Sequence, residues 1–133
     1  MSAAVTCALD AWAIITVARR QTGAETVRDA IDGGGAVVSW INLGEVFYVL
    51  ARDLGDDRAQ KIVDAACLDA RAEVPSGRSV LDAARLRTRG GLSFADCFAV
   101  TTAQRHAVPL LTGDPEIVAL AGELQVIDLR ERP

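Results

Sequence analysis

The chain has 133 residues, half of them hydrophobic, which suffices for one domain with a real core and requires no disulfide or structural metal to fold. A formal charge of -4 argues against a generic polyanion binder, whose footprint is a strong basic excess, and no apolar run approaches the ~18 residues of a membrane span. Cys7, Cys67 and Cys97 form no Cys-x-x-Cys pair and sit in apolar stretches, as small core residues of a reducing compartment do. With no charged start and cleavage site at the N-terminus, a cytoplasmic protein is expected.

Strand-like and helix-like pieces alternate along the whole chain without an internal repeat, the signature of α/β folding. Residues 5–9 read as a strand and 11–20 as an apolar helix. A second helix, 24–32, is stopped by Gly33, Gly34 and Gly35, and 36–39 make a second strand. Helices are expected over 41–53 and 56–72, broken at Leu54 and Gly55, then a short strand at 73–75 and a helix over 79–88. Ser93-Phe94-Ala95-Asp96 has the spacing of a capping box, with Asp where Glu or Gln is usual, and opens a helix running to about His106. A strand at 108–112 tolerates Pro109 in its first residues. A helix over 115–124, a last strand at 126–129 and a loose tail at 130–133 complete one domain, 1–133. The expected architecture places helices on both faces of a mostly parallel sheet, where ligands bind beyond the carboxyl ends of the strands. Asp10 and Asp114 both fall at such ends.

Four acids, Asp10, Glu45, Asp96 and Asp114, lie inside or at the edge of apolar stretches. An ionised carboxylate alone in low dielectric would neutralise or unfold its surroundings. Two carboxylates brought to ~4 Å at an effective dielectric of 20 repel by about 4 kcal/mol, so a cluster of four needs positive charge. Oxygen-only ligands select magnesium or manganese over zinc or copper. Such an ion serves phosphate chemistry, polarising the phosphoryl oxygen and activating water. His106 is the only histidine, which argues against a two-histidine ribonuclease mechanism; near the end of its helix it is expected to meet free carbonyls or solvent. No Gly-x-x-x-x-Gly-Lys loop or Gly-x-Ser-x-Gly elbow is present.

Each acid also has a plainer explanation. Asp10 is a favoured cap for the helix that follows it, Asp114 precedes a proline at a first helical position, and Asp96 completes its capping box. Glu45 lies mid-helix, where capping does not account for it; its plainer place is a narrow solvent-facing strip. Of the fourteen basic residues all but Lys61 are arginine, a planar fork suited to phosphate. Arg85, Arg87 and Arg89 cluster ahead of the helix carrying Asp96, either as a phosphate contact or as cations at a solvated helix end.

The acids sit in four motifs: Ala8-Leu9-Asp10 closing a strand, Asn42-Leu43-Gly44-Glu45 and Ser93-Phe94-Ala95-Asp96 on helices, and Leu110-Leu111-Thr112-Gly113-Asp114 closing another strand. In this order, at intervals of 35, 51 and 18 residues, they make nearly the whole chain resemble the PIN domain, and within that superfamily the VapC-type toxins of bacterial toxin–antitoxin pairs. The resemblance implies a three-layer α/β/α sandwich with Asp10, Glu45, Asp96 and Asp114 clustered at one rim. It implies magnesium or manganese held by Asp10, Asp96 and Asp114, the first two foremost, with Thr112 orienting a carboxylate or water and Asn42 supporting Glu45. Two positions depart from the pattern: Trp12 replaces a small hydroxyl residue, and Glu116 stands where a further Asp is common. The implied function is endoribonuclease toxin, with an RNA substrate, a VapB-type antitoxin in the active-site groove, and a homodimer through the helices at 11–20 and 41–53. Two rivals are an inactive PIN-like module that only binds RNA or protein, favoured by Trp12, and a receiver-like regulator, disfavoured by the lack of paired acids after the first strand and of a late lysine.

Overall fold

The computed structural model describes residues 4–120 and 122–131. Its centre is a sheet of five short parallel strands: β1 (Cys7–Leu9), β2 (Ala36–Ser39), β3 (Arg71–Glu73), β4 (Leu110–Thr112) and β5 (Val126–Asp128), in the order β3-β2-β1-β4-β5. β1 pairs on one side with β2 and on the other with β4, so the chain winds outward in opposite directions from the β1/β4 boundary. That boundary is the switch point at which a doubly wound sheet opens a crevice beyond its strand ends. The mostly parallel sheet anticipated is here parallel in every pairing.

Neighbouring residues of each strand serve opposite layers, as the two-residue strand period demands. Leu9, Val38 and Leu111 pack into one core with α1 (Ala11–Arg19), α2 (Ala24–Asp32), α3 (Trp40–Leu54) and α4 (Asp56–Asp69). Ala8, Val37 and Leu110 pack into the other with α5 (Gly77–Thr88), α6 (Phe94–His106) and Ile117 of α7 (Pro115–Val118). Both faces of β1, β2 and β4 are buried, which explains the apolar runs of these central strands. Each fully buried Leu or Val contributes roughly 1.5–3 kcal/mol through removal from water. Cys7 and Cys97 are buried in these cores and Cys67 is half-buried, all three as free thiols.

Helix starts are marked by side-chain caps: Ser39 accepts from the Ile41 N–H, Ser76 from Ser79 and Ser93 from Asp96. Gly35 has φ 108°, and a Cβ there would fall 2.4 Å from the Ala4 carbonyl oxygen, so only glycine brings the chain into β2 beside β1.

Three expected elements are corrected. The strand at 73–75 lies instead at Arg71–Glu73; Val74 is 79% exposed, and pairing with β2 decides the register. The helix over 56–72 ends at Asp69 because Ala70 is already extended toward β3. The helix over 115–124 ends at Val118, and the chain turns through Gly122 at φ 109°. The tail is anchored at its start, where Arg130 donates to Asp128 at 2.9 Å; residues 132 and 133 lie outside the described residues.

Candidate active site

Asp10 directly follows β1 and Asp114 follows β4 by two residues, so the adjacency of these strands sets both acids on one rim. Asp10 is 2% exposed. Its Oδ1 accepts from the Ala13 N–H at 2.9 Å, capping α1, and its Oδ2 accepts a short hydrogen bond from the Thr112 hydroxyl. The same hydroxyl accepts from the Asp114 N–H at 3.0 Å, so Thr112 joins the two strand-end acids through one oxygen. Asp114 in turn caps α7, accepting from the Glu116 N–H at 2.9 Å. The capping explanation and the site explanation hold together: an ionised carboxylate has about four lone-pair positions, and a cap uses one.

The other two acids arrive from helices whose N-termini meet at this rim. Asn42, in the first turn of α3, is fully buried and donates from Nδ2 to the Ala95 carbonyl of α6 at 3.0 Å. That bond ties α3 to α6 one residue before Asp96 and one turn before Glu45. Its Oδ1 is buried with no partner among the described residues, a penalty tolerated at the seam. Asp10, Glu45, Asp96 and Asp114 line one small depression of about 90 Å³ together with Ala11, Trp12 and Ile15. The four acids found in sequence are therefore brought together.

Burial and crowding are visible in the protonation of Asp10, Asp96 and Glu45. Burial pushes Asp10 up to about 7 against the opposing hydrogen bonds of Thr112 and Ala13, and the charges of Asp96 and Asp114 add to it. Asp96 also rises to about 7, through burial and then Asp114. Burial and Asp114 raise Glu45 as well. The ion pairs among the described residues lie elsewhere: Arg19 with Asp53, Arg85 with Asp82, Arg89 with Glu123, Arg105 and His106 with Glu73, and Arg130 with Asp128. His106, expected to meet carbonyls or solvent, meets the Glu73 carboxylate at 2.9 Å instead.

The donor set fits a hard divalent cation. One oxygen each of Asp96, Asp114 and Glu116 lie within 4.8 Å of one another, all three are carboxylates, and the exposure of Glu116 leaves room for water ligands. Glu116 had no role assigned from sequence. The Asp114-Pro115-Glu116 spacing at a helix start was the available signal: the cap that Asp114 forms on the Glu116 N–H holds the two side chains on the same turn. Hydrogen bonding to Asp114 raises the Glu116 carboxyl. The arginines behave differently from one another. Arg85 and Arg89 line a groove of about 600 Å³ between α5 and α6 with Arg78 and Arg105, whereas Arg87 lies outside that lining and its charge is felt by Cys97.

A family model of the PIN domain matches residues 7–123. The chain belongs to the PIN domain family. Solved structures agree at the level of fold. A DNA-bound VapBC from Salmonella typhimurium superposes with a TM-score of 0.73 at 16% identity, covering 94% of this PIN domain and 98% of that chain. VapC20 of Mycobacterium tuberculosis, described as a sarcin–ricin loop cleaving toxin, gives 0.72 at 17% identity over 96% and 100% of the two chains. PAE2754 from Pyrobaculum aerophilum gives 0.68 at 18% identity over 96% and 93%. No curated protein sequence matches this PIN domain. Among the described residues no helix is long and apolar enough to cross a membrane.

Proposed function

We propose that this PIN domain is a magnesium- or manganese-dependent endoribonuclease, the toxin of a VapBC-type pair acting in the cytoplasm. The observation that carries the reading is the convergence of Asp10, Glu45, Asp96 and Asp114 on one depression at the switch point of the sheet. Asp96, Asp114 and Glu116 would hold the cation, with Asp10 completing the set through lone pairs left by Ala13 and Thr112. A divalent ion bound there supplies Lewis-acid polarisation of the phosphodiester and makes water a better nucleophile.

The chain's own groups do the rest. Thr112 orients Asp10 and the backbone of Asp114 through its single hydroxyl. Asn42 positions Glu45 by pinning α3 on α6. Glu45, half-buried and raised in pKa by burial and by Asp114, accepts the proton of the attacking water at its carboxylate. The new phosphorus–oxygen bond forms as the bond to the leaving ribose oxygen breaks. Arg85 and Arg89 hold substrate phosphates in the α5/α6 groove; Arg87 contributes long-range attraction from outside it.

The solved VapBC structures are complexes of toxin with antitoxin, which supports a VapB-type antitoxin as partner. A homodimer through α1 and α3 is part of the same reading, since Ile41 and Tyr48 leave apolar surface open on α3 away from the depression's own lining. The experiment is RNA cleavage with magnesium by the wild type, Asp96→Asn and Asp10→Asn. The wild type should cut, EDTA should stop it, and both variants should lose activity on the order of 100-fold or more. Trp12 in the depression favours the second reading, an inactive module that only binds RNA or protein. A wild type that binds RNA without magnesium-dependent cleavage would establish that reading.

A further inference from the structure

We propose that Trp12 is a stacking platform holding one unpaired base of single-stranded RNA beside the acidic depression. The enzyme would thereby select substrates with an unstacked nucleotide next to the scissile bond. The inference rests on the nuclease reading above and adds the residue that sets substrate form.

Trp12 is the second residue of α1 and lines the same depression as the four acids. Its seat is specific. A Cβ built on Gly113 would fall 2.2 Å from Trp12 Nε1, 2.4 Å from Cε2 and 2.9 Å from Cδ1, so the five-membered ring of the indole rests on the bare backbone between Thr112 and Asp114. Any side chain at Gly113 would expel it. Yet the indole is not absorbed into the core: 41% of Trp12 stays exposed. A rigid aromatic seated on backbone, open to solvent and adjacent to the reacting groups is the geometry of a base-stacking surface.

Charge supports the same occupant. The net charge is -4, so beyond the cation proposed above the domain as a whole offers the phosphate backbone little Coulomb attraction. Stacking needs no opposite charge and accepts any base, because every base has a π-face. Trp40 and Phe94, the first residues of α3 and α6, are also exposed, at 43% and 45%, with Phe94 meeting Phe98 edge to face.

The test uses the full chain and single-stranded oligoribonucleotides carrying one abasic nucleotide, moved stepwise along the strand. At one position the lesion should raise the wild-type KM on the order of tenfold with a much smaller change in kcat. Trp12→Ala should raise KM by a similar factor on intact RNA and be indifferent to that lesion, while Trp12→Phe keeps most of the affinity. Gly113→Ala should raise KM in the wild type and add nothing in Trp12→Ala. In a Trp40→Phe background, which leaves Trp12 as the single indole, the oligonucleotide should quench the emission, a readout independent of cleavage and of variants at Trp12. No abasic position altering KM, or lesion and Trp12→Ala effects that multiply independently, would overturn the platform. So would emission that ignores RNA and instead follows protein concentration, which would assign the indole to a contact between copies of the chain. Magnesium-dependent cleavage without quenching sinks the platform alone; quenching without cleavage sinks the nuclease reading and leaves the platform standing.

Discussion

Asp10→Asn should stabilise this protein in EDTA at alkaline pH while destroying its activity. The Asp10 carboxyl ordinarily titrates at 3.8 and is raised to about 7 by burial in the fold. The folded chain therefore holds the proton more tightly than the unfolded one. Below pH 3.8 both states are neutral and the acid has no effect; between 3.8 and 7 the unfolded chain alone ionises and stability falls; above about 7 the full penalty is present. That penalty is about 4 kcal/mol. Asparagine avoids it but does not recover all of it. Its carbonyl still accepts from the Ala13 N–H, yet its amide must donate toward Thr112, which leaves the threonine proton without its acceptor. Allowing half the gain, about 2 kcal/mol, the variant should melt about 6–8 °C higher at pH 8 in EDTA, with the gap closing as the pH is lowered to 4. Magnesium should raise the wild-type Tm and raise that of the variant much less. Circular dichroism melts at the two pH values, with and without magnesium, decide it. Equal Tm values at pH 8 in EDTA, or equal stabilisation of both proteins by magnesium, would refute the account of a crowded acid relieved by a cation.

Thr112→Val should lower kcat by on the order of 10- to 100-fold and stability by about 1–3 kcal/mol, since Asp10 loses its donor and the Asp114 N–H its acceptor; Thr112→Ser should restore both, and failure of that rescue would count against the hydroxyl. Burial pushes Glu73 up, but the hydrogen bonds and charges of Arg105 and His106 outweigh it and hold the carboxyl below its usual 4.5. Its stabilisation is accordingly present above 4.5 and lost as the pH falls. Glu73→Gln should melt a few degrees lower at pH 7, about 1 kcal/mol for a partly exposed pair, and converge with the wild type in acid, as melts across pH will show. Replacing Arg85 and Arg89 together by alanine should raise KM for RNA, spare kcat and flatten the salt dependence of binding by about two contacts, measured by filter binding across salt concentrations; an unchanged salt slope would remove the α5/α6 groove from the substrate path.

Much of this molecule was legible along the chain. Apolar runs ending in Asp10 and Asp114 placed two strands, capping residues placed the helices that follow them, and the lack of any capping reason for Glu45 marked it as unusual. Those are local signals, set by one residue's cost in its immediate surroundings. The tertiary structure decided what no local signal carries. The order of strands makes β1 and β4 neighbours, so that the Thr112 hydroxyl reaches Asp10, 102 positions away in the chain. It brings Glu45 and Asp96, carried by two different helices, to the depression that the strand-end acids line. It also seats Trp12 on Gly113, a contact across two strand ends. The physical reason is that burial and pairing energies depend on which surfaces meet, and only a closed fold determines the meeting of surfaces distant in the chain.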